Sequence, residues 1–204
     1  MKKTNNKGFS LVELIIVIAI MAILAGAIAP ALIKYIDKSR KSNDVSSAKT
    51  IKTAIETALG TESVYETLTN TTTGADATVV VIKPGQVTNA DATAPTEGTA
   101  GVKIGSCSAP TGVTGAASIA DCAKAIGSNI GEKTPKVKYK KNITNEGEKD
   151  GTITPSCFVA FITPGGSVYV CVGTETGSVS INGSGIPTFT GCAPLAPEVC
   201  KGYQ

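Results

Sequence analysis

At 204 residues, 42% of them apolar and 17% charged, the chain is too hydrophobic to be disordered and long enough for one domain plus an appendage. Residues 1–60 hold nine Lys and Arg against four Asp and Glu, whereas residues 61–204 hold ten against twelve, so the larger part is not a polyanion binder by bulk charge. No histidine occurs, which excludes Ser-His and Cys-His catalysis, and no glycine-rich phosphate cradle is visible, so the sequence predicts no enzyme, cofactor or metal site.

The first predicted element begins with residues 14–33, twenty residues without a charge, which as a helix span roughly 30 Å, the thickness of a bilayer core. Lys2, Lys3 and Lys7 flank one end, and Lys34, Lys38, Arg40 and Lys41, offset by Asp37, flank the other. Flanking charge therefore leaves the orientation open. Glu13 stands at the polar edge of this run, where an ionised acid costs on the order of 3 kcal/mol if it enters hydrocarbon. It calls for a partner. Inside the run, Pro30 denies the Gly26 carbonyl its usual N–H, which predicts a softened stretch between these two residues.

Helical periodicity then continues as a narrower stripe. Ala48, Ile51, Ile55 and Ala58, extended by Val45 and Leu59, fall on one face, with Lys49, Lys52, Thr53 and Glu56 between them. Gly60 is the expected stop. The pattern predicts a single helix from about Phe9 to Leu59, roughly 75 Å long, lipid-facing in its first half and packed on one side in its second.

From Thr61 the composition turns to Thr, Gly, Ala and Ser with short β-branched runs at residues 79–82, 137–139, 158–162, 168–172 and 179–181, which predict a small, mostly antiparallel sheet. Thr163, Pro164, Gly165 and Gly166 make a hairpin turn between two of them. Residues 118–126 (SIADCAKAI) are the one further helix expected, and residues 86–101 read as an exposed loop.

All six cysteines, Cys107, Cys122, Cys157, Cys171, Cys192 and Cys200, follow residue 100, with no CxxC pair. That usage predicts disulfides in an oxidising compartment, which puts this part outside the membrane and the N-terminus inside. Six cysteines allow 15 pairings. Cys157 and Cys171 lie symmetrically about Pro164, and Cys192 and Cys200 bracket a loop containing Pro194 and Pro197, which leaves Cys107 with Cys122. Facing cross-strand disulfides are geometrically demanding, so other partners for Cys157 and Cys171 stay open.

Two charged clusters complete the inventory. Lys133, Lys136, Lys138, Lys140 and Lys141 crowd around Tyr139 and predict an edge strand guarded by lysines, with attraction to nucleic acid or an acidic surface as the lesser alternative. Glu146, Glu148, Asp150 and Gly151 imitate the first half of a calcium loop, but its twelfth position would be Cys157, so a solvated acidic loop is expected.

The run Lys7, Gly8, Phe9, Ser10, Leu11, Val12, Glu13, Leu14, followed by an unbroken apolar helix, resembles the class III signal of type IV pilins and the related type II secretion pseudopilins over residues 1 to about 60. The resemblance implies an α+β, pilin-like lollipop: a leader at 1–8, a long helix at 9–60 (membrane and assembly segment 9–33, amphipathic stem 34–60) and a disulfide-containing head at 61–204. It implies cleavage between Gly8 and Phe9 by a prepilin peptidase, N-methylation of Phe9, and pairing of Glu13 with the Phe9 amine of a neighbouring subunit, a charge pair that specifies axial register more than it adds stability. It implies that the helix unwinds near Pro30 in a filament. The expected partners are other pilin subunits in a homopolymer, an assembly ATPase with its membrane platform, and the cytoplasmic membrane before assembly. The expected function is the structural subunit of an extracellular pilus serving adhesion, twitching motility or aggregation. A type II secretion pseudopilin or a DNA-uptake pilin is the alternative within the family, and a secreted or anchored surface-binding protein the alternative outside it. An ordinary signal peptide cut near Ala27 or Ala29 is disfavoured by Glu13 and by the amphipathic helix that follows directly.

Overall fold

A computed structural model describes residues 9–72, 75–86, 101–105, 116–131, 133–144, 152–182 and 186–204. The leader, Cys107 and the acidic segment from Glu146 to Gly151 lie outside the described residues, as do residues 87–100 of the predicted loop. The chain divides into two compact units, one ending at Ser39 and one beginning at Arg40.

The first unit is the N-terminal part of helix α1 (Leu11–Leu59). Its most apolar eighteen-residue window has a mean hydropathy of 2.9, and none of that window is buried. Leu11, Ile16, Ile23, Leu24, Ile28 and Ile33 are all more than half exposed. Such a surface satisfies its own backbone hydrogen bonds but has no apolar neighbour, which is how a helix suited to lipid is built. The helix runs on through Pro30.

The second unit is α+β. Its centre is a five-stranded antiparallel sheet of order β3-β1-β7-β8-β9, from β1 (Thr78–Lys83), β3 (Gly101–Gly105), β7 (Cys157–Ile162), β8 (Val168–Ile181) and β9 (Pro187–Ala196). Two small ribbons flank it, β2 (Gly85–Gln86) with β4 (Lys133–Thr134) and β5 (Ile143–Thr144) with β6 (Thr152–Ile153). Alternation along the central strands sorts the side chains onto two faces. Val80, Ile82, Phe158, Ala160, Val170 and Val172 join the α1 residues Ala48, Ile51, Ile55 and Ala58 in the main core. The helical stripe read from the sequence is thus the buried one, and complete burial of Ile51 and Ile55 contributes about 1.5–3 kcal/mol each. Val81, Val159, Phe161, Cys157, Cys171 and Cys192 form a second cluster on the opposite face.

Two further helices sit on the core side. Helix α3 (Ile119–Ile130) begins where expected: the Asp121 N–H donates to Ser118 Oγ at 3.1 Å, and the hydroxyl donates to the Asp121 carboxylate at 2.6 Å. The Asn129 amide donates to the Ala54 carbonyl of α1 at 3.2 Å. Helix α2 (Glu62–Thr69) was not expected from the sequence, which allowed this region one further helix only. It is eight residues long, and its burial of Val64 and Leu68, four apart, escapes any longer-window periodicity. Hydroxyls fix it: Thr67 donates to the Ala117 carbonyl at 2.8 Å, and Thr78 to the Leu68 carbonyl at 2.7 Å.

The strand predictions need three corrections. Residues 179–181 are not a separate strand but the end of β8, which is 14 residues long. The proline-bearing segment between Cys192 and Cys200, expected as a loop, is β9 as far as Ala196; this strand is an edge, where Pro187 and Pro194 forgo no interior ladder bond. Residues 137–139 form no strand, because the N–H groups of Lys138 and Tyr139 donate to a side chain instead of a neighbouring strand. Gln86 and Gly101, the ends of the predicted loop, belong to β2 and β3.

The hairpin between β7 and β8 is the one expected. The Gly166 N–H donates to the Thr163 carbonyl at 2.9 Å, and Gly166 adopts a φ of 79°, where a side chain is strained and where a Cβ would meet the Tyr65 ring at 2.9 Å.

Candidate assembly site

Phe9 is 87% exposed, and Ser10 sits just ahead of the first residue of α1. Glu13, the third residue of the helix, accepts the Ser10 backbone N–H at 2.9 Å. This is one half of a capping box: the carboxylate satisfies a donor the helix start would leave orphaned and lies in the first turn, where the helix dipole favours an anion. Glu13 therefore has a partner inside its own chain. Gly8, one residue before Phe9, lies outside the described residues. Gly26 has open space around it, with nothing within 4 Å of a Cβ built there, and Pro30 sits four residues on in a helix without a break.

In the second unit a buried polar site centres on Asp44, which is not among the residues singled out from the sequence. It is fully buried. Its Oδ1 accepts the Lys138 N–H at 2.7 Å, and its Oδ2 accepts the Tyr139 N–H at 2.9 Å and the Tyr203 hydroxyl at 3.2 Å. Burial raises the carboxyl above its ordinary range against the opposing pull of those two N–H groups, the Tyr203 hydroxyl and the Lys138 charge. Burial, with the Asp44 carboxylate beside it, likewise pushes the Tyr203 hydroxyl far up, so it stays a donor. Tyr203 meets Tyr139 edge-on at 5.7 Å, and the Lys41 ammonium lies 5.2 Å from the Tyr139 ring centroid. A signal was present: Asp44 stands four residues before Ala48, in line with the apolar stripe.

The cysteines are grouped by the sheet rather than by chain proximity. Cys157 faces Gly173 across β7 and β8, two residues out of register with Cys171, whose partner on β7 is Val159. On the other side of β8, Cys192 faces Gly173. Cys157, Cys171 and Cys192 therefore surround one glycine, and a Cβ at Gly173 would stand 2.4 Å from the Gly191 carbonyl oxygen and 2.6 Å from Cys192 Cβ. Burial raises the Cys171 thiol well above its usual range, and contact with the Cys192 side chain adds to this. Cys200 packs against the other, helix-side core, as does Cys122 on α3.

An α+β unit with half of a stem helix in its core, and an N-terminal apolar helix exposed along a membrane-spanning length, defines a class: a protein that a single apolar helix can anchor or assemble. Residues 3–29 match the family model for the prokaryotic N-terminal methylation motif. A type IV major fimbrial protein, FimA, of Dichelobacter nodosus is 46% identical over 57 residues, covering 28% of this chain and 36% of the relative. Fimbrial protein Q of Moraxella bovis is 48% identical over 54 residues, covering 26% of this chain and 34% of the relative. The chain thus spans about a third of the length of these curated relatives. No solved structure matches it. The N-terminal segment carries the prokaryotic methylation motif and is similar to the corresponding segment of these type IV fimbrial proteins.

Proposed function

We propose that the protein is the structural subunit of an extracellular type IV pilus, made as a membrane-held precursor. A prepilin peptidase cuts between Gly8 and Phe9, the new amine of Phe9 is methylated, and subunits polymerise through the apolar half of α1. The membrane holds that half with the N-terminus inside, and an assembly ATPase acting through a membrane platform supplies the work. The chain has no enzymatic role in this scheme.

The observation that carries this reading is the match of residues 3–29 to the methylation motif at the head of a helix whose apolar window is wholly unburied. In the mature chain, the Glu13 carboxylate gains a second duty. A cationic amine on Phe9 of a neighbour and the carboxylate are each costly in an apolar bundle, and tolerated as a pair. Gly26 and Pro30 supply a stretch where one carbonyl lacks its helical donor and the helix can extend on packing.

The test is the N-terminal residue of protein recovered from the cell surface, read by mass spectrometry. N-methyl-Phe9 is expected. A chain starting near Ile28 or Pro30, or an intact Met1, overturns the proposal.

A further inference from the structure

The lysines of residues 136–141 have no ladder to guard, since the backbone beneath them donates to Asp44. Exposure alternates along the segment. Val137 is 2% exposed and Tyr139 packs against the main core, whereas Lys136, Lys138 and Lys140 are exposed. Lys141, also exposed, ends the row. No ion pair among the described residues draws on Lys136, Lys138 or Lys140. Asp44, which lies beneath the row, is buried with both oxygens occupied by donors.

This row is fixed to a particular point of the chain. Lys41 covers the Tyr139 ring and Asp44 holds the backbone on either side of the Lys138–Tyr139 peptide. Lys41 stands eight positions after Ile33, the last of the apolar run, a stretch of about 12 Å as helix and no more than about 28 Å fully extended. The headgroup layer occupies the first several ångströms beyond the hydrocarbon, and a screened charge is felt for about 8–10 Å more.

We propose that Lys136, Lys138, Lys140 and Lys141 are a docking surface for anionic lipid headgroups, holding the precursor's head against the membrane that its own helix spans. The inference rests on the reading that the apolar run of α1 sits in a bilayer, and goes beyond it. Phosphates are the matching chemistry: a row of ammonium groups makes point-charge contacts and needs no shaped pocket. Because the covalent connection to the apolar run limits how far the row can stray from the bilayer, modest contacts suffice, acting at high effective concentration. Free nucleic acid has no such tether and would meet a region with more acids than bases after residue 60.

The experiment uses the full chain reconstituted into vesicles of phosphatidylcholine alone or with one third phosphatidylglycerol. Lysines are labelled with an amine-reactive ester and quantified by mass spectrometry. Lys124 is the internal reference: it lies on α3, whose contact with Ala54 is ten residues, about 15 Å, farther along α1 than Asp44. Labelling of Lys136, Lys138 and Lys140 relative to Lys124 should fall about threefold or more in the anionic vesicles and recover in 1 M salt, where screening is short. Equal labelling in both vesicles, with the protein floating in both, overturns the lipid surface but leaves the anchor standing. Failure to float with either vesicle overturns both. Shielding by added duplex DNA on neutral vesicles, without shielding by anionic lipid, assigns the row to nucleic acid and also overturns the proposal.

Discussion

Asp44 on the stem helix and Tyr203, the penultimate residue, are joined by a 3.2 Å hydrogen bond across 159 positions of sequence. The same carboxylate takes two backbone N–H groups from residues 138 and 139. One buried side chain thus ties helix, coil and C-terminus. Tyr203→Phe removes a single donor and should cost about 1 kcal/mol. Asp44→Ala strands two buried N–H groups and should cost about 3–5 kcal/mol. Denaturant unfolding of the full chain in detergent gives the energies. Hydrogen exchange localises them: the Lys138 and Tyr139 amides should lose protection in Asp44→Ala and keep most of it in Tyr203→Phe.

The same site predicts an acid response of unusual sign. The folded carboxyl of Asp44 is raised above its ordinary value of 3.8, so the native state binds this proton more tightly than the unfolded chain. Its contribution to stability is fully present below about 3.8 and is lost as pH rises through the raised folded value. Between those two values, wild type should gain stability on acidification relative to Asp44→Asn, which cannot titrate. At the other extreme, Tyr203 is raised above 10, so its contribution should be lost as pH climbs beyond 10, and Tyr203→Phe should abolish that alkaline loss.

Cysteine chemistry should follow the sheet. Two thiols at Cys171 and Cys192 can give two protons and two electrons to a thiol oxidant and close one S–S bond. Their side chains already touch on the outer face of β8 and β9. Burial keeps Cys171 protonated, which slows exchange in the folded state, so the bond should form before the sheet closes. Non-reducing peptide mapping should recover a Cys171–Cys192 link in preference to Cys157–Cys171. Protein refolded under reducing conditions should alkylate at Cys171 only after denaturation.

Gly173 should tolerate no side chain. A Cβ there would press on the Gly191 carbonyl, which is backbone and cannot swing away, and on Cys192 Cβ. Gly173→Ala should destabilise the sheet by about 2–4 kcal/mol and part β9 from β8. Exchange of β9 amides in the variant measures this directly.

What was legible in the sequence was what repeats. The apolar run and the stripe through Ala48, Ile51, Ile55 and Ala58 announce α1 because helical burial recurs every three or four residues, and residues 158–162 announce β7 because both its faces are covered. Helix α2 was hidden by its eight-residue length, and β9 by prolines that only an edge position permits. Residues 137–139 have strand composition, yet Asp44, more than ninety positions away, takes their N–H groups. Such a donor–acceptor match is a product of the tertiary structure, and no local pattern encodes it.

Glu13 is where local and intersubunit demands can be separated. In the single chain its carboxylate caps α1 through the Ser10 N–H, a contact worth about 0.5–1 kcal/mol at an exposed helix end. In a filament the proposed partner is a cationic amine in apolar surroundings, where removing one member leaves a charge uncompensated. Glu13→Gln keeps an oxygen for the Ser10 N–H but has no charge to offer. Glu13→Ala loses both. If capping were the residue's whole task, Glu13→Gln would assemble nearly as wild type and Glu13→Ala only slightly less well. If the charge pair sets subunit register, both variants should accumulate in the membrane with the head folded, and both should fail to yield surface filaments by electron microscopy. A filament count in Glu13→Gln close to wild type sinks the charge-pair role and leaves the cap.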